Sequence, residues 1–108
     1  MAITVHIYYM RTQAKDFARE MTAEGVVEDI RAEEGNLRYE YFLPMDQEDT
    51  VLLIDSWTDQ AALDRHHHSP MMEKIIRLRE KYDLHMKVER YVSDEAGVPD
   101  RDKGFIRE

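Results

Sequence analysis

The sequence predicts a small α+β domain, a four-stranded antiparallel sheet with its helices on one face, and three observations carry that expectation. Segments rich in β-branched and aromatic residues stand near either end, at Ile3–Tyr9 and Leu84–Val92. Two more, Asn36–Leu43 and Thr50–Trp57, lie close together in the middle, separated by Pro44 and the polar run Asp46-Gln47-Glu48-Asp49, which reads as a hairpin turn. Helical spacing fills both remaining gaps. The order β, α, β, β, α, β is that of the ferredoxin-like, split βαβ arrangement.

Each element has its own reason. In the first strand Ile3, Val5, Ile7 and Tyr9 share one face, with Thr4, His6 and Tyr8 on the other. From about Gln13 to Glu34, Ala14, Phe17, Ala18 and Met21 and then Val26, Val27 and Ile30 follow helical spacing, with a phase slip near Gly25 that predicts a kink or a division. Gly35 suits the left-handed position past a helix end. In the third strand Val51 and Leu53 oppose Leu52 and Ile54, so both faces are apolar and both need cover. Thr58-Asp59 starts a short helix carrying Ala61, Ala62 and Leu63 into His66-His67-His68. Ser69 as cap and Pro70 in the first turn restart a helix whose buried stripe is Met71, Ile75, Leu78 and Tyr82, flanked by Met72 and Ile76. In the last strand Met86, Val88, Arg90 and Val92 alternate with His85, Lys87, Glu89 and Tyr91.

Residues 1–92 therefore read as one domain, and the polar residues 93–108, with Gly97, Pro99 and Gly104, as a C-terminal arm that Phe105 and Ile106 could anchor on a partner. Both helices on one face leave the other face of the sheet bare. A domain of 108 residues buries only about 60–65% of its unfolded surface. Stacking the open face on a second copy is the physical solution, and a homodimer is expected, with a pocket between sheet and helices in each subunit.

Composition excludes several classes. A formal charge of −8, from 15 Lys+Arg against 23 Asp+Glu, would repel phosphate backbones, so no nucleic-acid partner is expected. No apolar run approaches a membrane span, and the N-terminus lacks the basic start of a signal peptide, so a cytoplasmic location without membrane contact is expected. The absence of cysteine removes disulfides, thiolate nucleophiles and cysteine-ligated metals. No glycine-rich phosphate loop or GxSxG elbow is present, which leaves a cofactor-free site as the simplest option.

Several residues could carry chemistry. Neighbours on a helix are about 100° apart, so the three consecutive histidines cannot all face one ligand, and no HxxxH or HExxH spacing supports a metal. His66, just after Leu63, can move a proton near neutral pH, or be a helix-terminal histidine satisfied by backbone or solvent. Asp55, two residues before Trp57 on the same strand face, is a candidate base of raised pKa, or a structural hydrogen-bonding group. Trp57, Tyr39 and Tyr41 offer flat surface for an aromatic ligand, or fill the core. Asn36 could orient a carbonyl or dioxygen, or close the turn after Gly35.

Two segments resemble the antibiotic biosynthesis monooxygenase family. Glu33-Glu34-Gly35-Asn36-Leu37-Arg38-Tyr39-Glu40-Tyr41 is similar to its Glu-x-Gly-Asn/Cys-x-x-Tyr/Phe run. Asp55-Ser56-Trp57-Thr58-Asp59, then Ala62-Leu63-Asp64-Arg65-His66 and Ser69-Pro70, are similar to its Glu-x-Trp/Tyr…Ala-Leu-x-x-His-x-x-Ser/Thr-Pro-His. The resemblance spans roughly residues 2 to 92. It implies a dimeric α/β barrel and a cofactor-independent, quinol-type monooxygenase using molecular oxygen. It also selects His66 from the histidine run and marks Asn36, Asp55 and Trp57 as pocket candidates. Taken with the reading of the residues, His66, Asp55 and Asn36 are the catalytic candidates, and Trp57, Tyr39, Tyr41, Arg38 and Met71 are expected around the substrate.

The sequence departs from the pattern at Asp55, where Glu is usual, and at Met71, where a second His is common. His66 and Ile76 stand where the family's haem-degrading branch has Trp and His, which argues against haem degradation. The run around Glu33–Arg38 is especially similar to isomerases of phosphorylated autoinducer-2, a phospho-dione, for which Arg38, Lys87 and Arg90 are the strand cations at hand. A dimer that binds a small aromatic molecule without turnover is the third alternative.

Overall fold

The computed structural model describes residues 1–11 and 13–108. Strands β1 (Ile3–Met10), β2 (Asn36–Phe42), β3 (Val51–Trp57) and β4 (His85–Val92) form one antiparallel sheet in the order β2-β3-β1-β4. The expected α+β, ferredoxin-like arrangement is present. Cross-strand register sets the two faces. Ile3, Val5, Ile7 and Tyr9 stand opposite Trp57, Asp55, Leu53 and Val51, and all but the half-buried Val5 are buried on the helix side. On the open side Thr4, His6 and Tyr8 stand opposite Ser56, Ile54 and Leu52, and the Thr4 and Ser56 hydroxyls share a hydrogen bond of 2.7 Å.

The first helical arm is divided, as the phase slip at Gly25 predicts: α1 (Ala14–Ala23) ends before Gly25, whose φ of 77° is left-handed, and α2 (Val26–Arg31) follows. The break re-phases the apolar stripe, so Ala14, Phe17 and Met21 of α1 and Val26, Val27 and Ile30 of α2 are all buried. Phe17 packs 4.9 Å from the Tyr9 ring, with Tyr41 and Tyr82 edge-on to it. Burying one such ring stabilises the fold by about 2–3 kcal/mol. Arg31 Nε donates to the Tyr39 carbonyl at 2.9 Å and ties α2 to β2.

The second arm comprises α3 (Gln60–His67) and α4 (Met71–Lys81). Asp59 caps α3, its carboxylate accepting from the Ala62 N–H at 2.8 Å, a contact that contributes about 1 kcal/mol. Ser69 does not cap α4: its hydroxyl donates to the His66 carbonyl at 2.7 Å, and Pro70 takes the cap position. The hydroxyl adds a second bond to the His66 carbonyl, which already accepts from the Ser69 N–H where α3 ends, instead of serving the amides where α4 begins.

Two contacts at Gly35 dock α3 against the start of β2. Gly35, at φ 87°, lies so close to α3 that a Cβ there would fall 2.6 Å from the Ala62 Cβ, while its carbonyl accepts from the Thr58 N–H at 2.8 Å. β4 is the exception to the packed sheet, for only Glu89 among its residues is even half-buried. Beyond it residues 93–108 contain a 3₁₀ turn, Asp100–Phe105, with Phe105 and Ile106 exposed. Among the described residues no helix is long and apolar enough to cross a membrane.

Candidate functional site

The sheet's helix face and the second helical arm enclose a cavity of about 290 Å³. Its apolar wall comes from Val5, Ile7, Leu53, Leu63, Met72 and Ile75, and its polar groups include Asp55, His66, Tyr39, Arg79 and Arg90. The sequence-predicted base candidates thus share one cavity.

Asp55 is 5% exposed, on the middle of a strand whose alternation turns it toward the helices. Burial pushes its pKa up to about 7, assisted by the Glu33 charge and opposed by the Trp57 hydrogen bond and by Arg79. The bond is a donation from Trp57 Nε1 to Asp55 Oδ1 at 2.7 Å, one pleat repeat along the same strand face. The carboxyl therefore exchanges its proton near neutral pH inside an apolar enclosure.

Of the three histidines, His66 is buried at 4% exposure and the next two are exposed, as the 100° step requires. His67 reaches the cavity, its pKa lowered by burial and by the neighbouring His66. His68 Nδ1 meets the Asp64 carbonyl at 2.7 Å. His66 Nδ1 lies 2.6 Å from Glu33 Oε2, and the imidazole stacks on the Trp57 indole at 4.7 Å. The Glu33 contact occupies Nδ1, so Nε2 is the ring nitrogen left to exchange a proton with a ligand. Trp57 thereby joins both candidates, bonded to one and stacked on the other.

The remaining predicted residues divide. Tyr39 lines the cavity, 2% exposed, its hydroxyl held well above the usual phenol range by burial. Trp57 is wholly buried behind the site and contacts it through Asp55 and His66. Tyr41 is turned away, edge-on to Tyr39 and Phe17, and lines a separate hollow with Ala18 and Val51. Asn36 is not at the cavity: its amide donates to the Arg38 and Ser56 carbonyls at 3.3 Å, bridging the register shift between β2 and β3. Arg38 is on the open face, paired with Glu40 at 2.9 Å, because a strand alternates and its neighbour Tyr39 faces inward. Lys87 is likewise outside, over the Tyr8 ring, so of the three expected strand cations only Arg90 lines the cavity. Met71 packs against the core and Met72 takes its place in the wall, since α4 turns residues 72, 75 and 79 toward the cavity.

Two residues carry roles that the sequence does not reveal. Glu33 orients His66 across 33 positions of sequence. Arg79 follows Ile75 by four and shares its helix face, a spacing that could have placed it.

The comparisons with known proteins agree with this architecture. A curated relative, YcnE of Bacillus subtilis strain 168, provisionally named a monooxygenase, is 36% identical over 54 residues, which cover 50% of this chain and 57% of YcnE. The chain thus spans little more than half of that relative's length. A crystal structure from Deinococcus radiodurans, provisionally named an antibiotic biosynthesis monooxygenase, superposes with a TM-score of 0.73 at 19% identity, over 88% of this chain and 94% of the other. SnoaB of Streptomyces nogalater, a cofactor-independent oxygenase, gives 0.72 at 14% identity, over 87% and 94%. At such identities these two likenesses speak for the fold. The family profile for antibiotic biosynthesis monooxygenases itself matches residues 2–78, well over half of the sequence and all of the cavity except the part contributed by Arg79 and β4, so the chain belongs to the antibiotic biosynthesis monooxygenase family.

Proposed function

We propose that this protein is a cofactor-independent monooxygenase that oxidises a hydroquinone or similar small polyphenol with molecular oxygen. The observation that carries the reading is Asp55, a buried carboxyl with a pKa near 7 in the apolar cavity that also holds His66. Ionised Asp55, or His66 through Nε2, takes a phenolic proton, and the phenolate gives one electron to dioxygen. Semiquinone and superoxide then join at a ring carbon, and the peroxide takes up the proton. Loss of water, with the ring C–H proton leaving and the O–O bond breaking, yields a hydroxylated quinone. One oxygen atom ends in product and one in water, and all four electrons come from the substrate. Membership of the family, and the cofactor-independent chemistry of the fold neighbour SnoaB, support the same reading.

Oxygen uptake by metal-free protein across hydroquinones, dihydroxybenzoates and dihydroxynaphthalenes tests it. Enzyme-dependent uptake is expected, falling by about 10²–10⁴ in Asp55→Asn or His66→Ala, whichever removes the base. No uptake with any member of the panel overturns the reading.

A phosphorylated-dione isomerase is the second reading, favoured by one observation, the presence of Arg79 and Arg90 in the cavity wall. Arg38 and Lys87 on the other face weaken it. Binding without turnover is the third outcome of the same assay. The open sheet face, with half-buried Leu52, Ile54 and Phe42, supports a homodimer as the working form. Light scattering at micromolar concentration is expected to give twice the chain mass, and a monodisperse monomer would contradict it.

A further inference from the structure

We propose that Arg79 receives a carboxylate of the substrate, so that the natural ligand of this cavity is a single-ring aromatic acid and not a neutral hydroquinone. The inference rests on the cavity being the substrate site and adds the class of molecule it selects.

Arg79 differs from the chain's other arginines of known partnership. Arg19, Arg38 and Arg101 pair with carboxylates, Arg31 donates to the Tyr39 carbonyl, and Arg90 donates to the Gln60 amide oxygen. Arg79 lines the cavity, is only partly exposed, and forms no ion pair among the described residues. Its one bond is from Nη2 to the Tyr9 hydroxyl at 2.8 Å, with the guanidinium carbon 5.5 Å from the centre of that ring. Nε is buried without a partner.

A guanidinium partly withdrawn from water, close enough to Asp55 to act on its charge but in ion-pair contact with no carboxylate among the described residues, is costly to keep, and an anionic ligand relieves that cost. The surrounding chain carries a net charge of −8, so this is a local inversion of the molecule's own sign. Anchoring by wholly buried Tyr9 fixes the fork before any ligand arrives.

Size and charge narrow the ligand. A volume of about 290 Å³ lies at the low end for small-molecule sites and suits one substituted ring. One unpaired guanidinium matches a planar monoanion, as in a bidentate carboxylate pair. A phosphate dianion would need a second free cation, while Arg90 is engaged with Gln60.

The test is anaerobic calorimetry, which reads binding without turnover, using 2,5-dihydroxybenzoate and its neutral, nearly isosteric amide. Wild-type protein is expected to bind the acid at least about tenfold more tightly, the scale of a charge-assisted hydrogen bond. That preference should vanish in Arg79→Gln, return in part in Arg79→Lys, and survive in Arg90→Gln. Equal affinities in the wild type, tighter binding of the amide, no binding of the acid at millimolar concentration, or a preference undiminished in a folded Arg79→Gln each overturn the proposal. The wild-type pair decides the matter even if the Arg79 variants fail to fold. Oxygen uptake with neutral hydroquinone but no acid preference would sink this inference and spare the monooxygenase reading. An acid preference without uptake would do the reverse.

Discussion

β3 and β4 flank the same strand, β1, and have opposite fates. β3 buries Val51, Leu53, Asp55, Ser56 and Trp57, whereas Val88 of β4 remains 56% exposed and Val92 51%. Both strands present apolar side chains toward the helices, so propensity does not separate them. Coverage does: α3 and α1 pack over β3, while Met86, Val88 and Arg90 of β4 face the cavity. The site is thus built between a packed wall, which shifts the pKa of its base candidate, and a wall whose side chains are left exposed.

Truncation at each wall should expose this asymmetry. The largest effect is expected at Trp57→Ala, which empties a fully buried position, cancels the bond to Asp55 and removes the surface under His66. A loss of about 3–5 kcal/mol in denaturant unfolding is expected. A loss below about 1 kcal/mol would mean that β3 is not the packed wall described.

Next comes Asp55→Asn, read as stability against pH. The folded pKa, about 7, lies above the ordinary 3.8. Below about pH 4 the group is protonated in both states and carries no penalty. As pH rises toward 7 the unfolded chain releases the proton first, so stability falls, and above about 7 the penalty is complete at roughly 2–4 kcal/mol. Asparagine can still accept from Trp57 Nε1 without that charge. The variant should therefore equal or exceed the wild type at pH 8 and lose the decline between pH 4 and 7. Wild type and variant profiles that run parallel over that interval would show that Asp55 ionises normally.

The smallest effect is expected at Val88→Ala on β4, within about 0.5 kcal/mol, because that side chain is more than half exposed. A cost well above that, growing with protein concentration, would mean a second copy covers β4.

The fold was legible because each strand advertised its inward face and Gly25 marked where α1 stops; Gly35 instead turns the chain into β2, since α2 already ends at Arg31 with Ala32 as its cap. The site was legible in part. Asp55, Trp57 and His66 sit in local patterns that fix their direction, two residues apart on a strand or after Leu63 on a helix. Glu33 stands in a family motif yet shows no role in the linear sequence, since its contact with His66 depends on how α3 docks against the turn before β2. Arg79 reads as an ordinary solvated helix charge beside Glu80 until the cavity beneath it is known. Asn36 and Met71 missed for opposite reasons: a register shift absorbed one amide, and one residue of helical phase moved the methionine from wall to core.

Gly35 ties these distances together. Glu33 lies two residues before it and His66 one helical turn after Ala62, the side chain that a Cβ at position 35 would strike. The 2.6 Å contact between carboxylate and imidazole is therefore a machined tolerance whose reference surface is a missing methyl group. A single added carbon at position 35 would have to push α3 outward, and would reach the imidazole as a misalignment without touching any group that does chemistry.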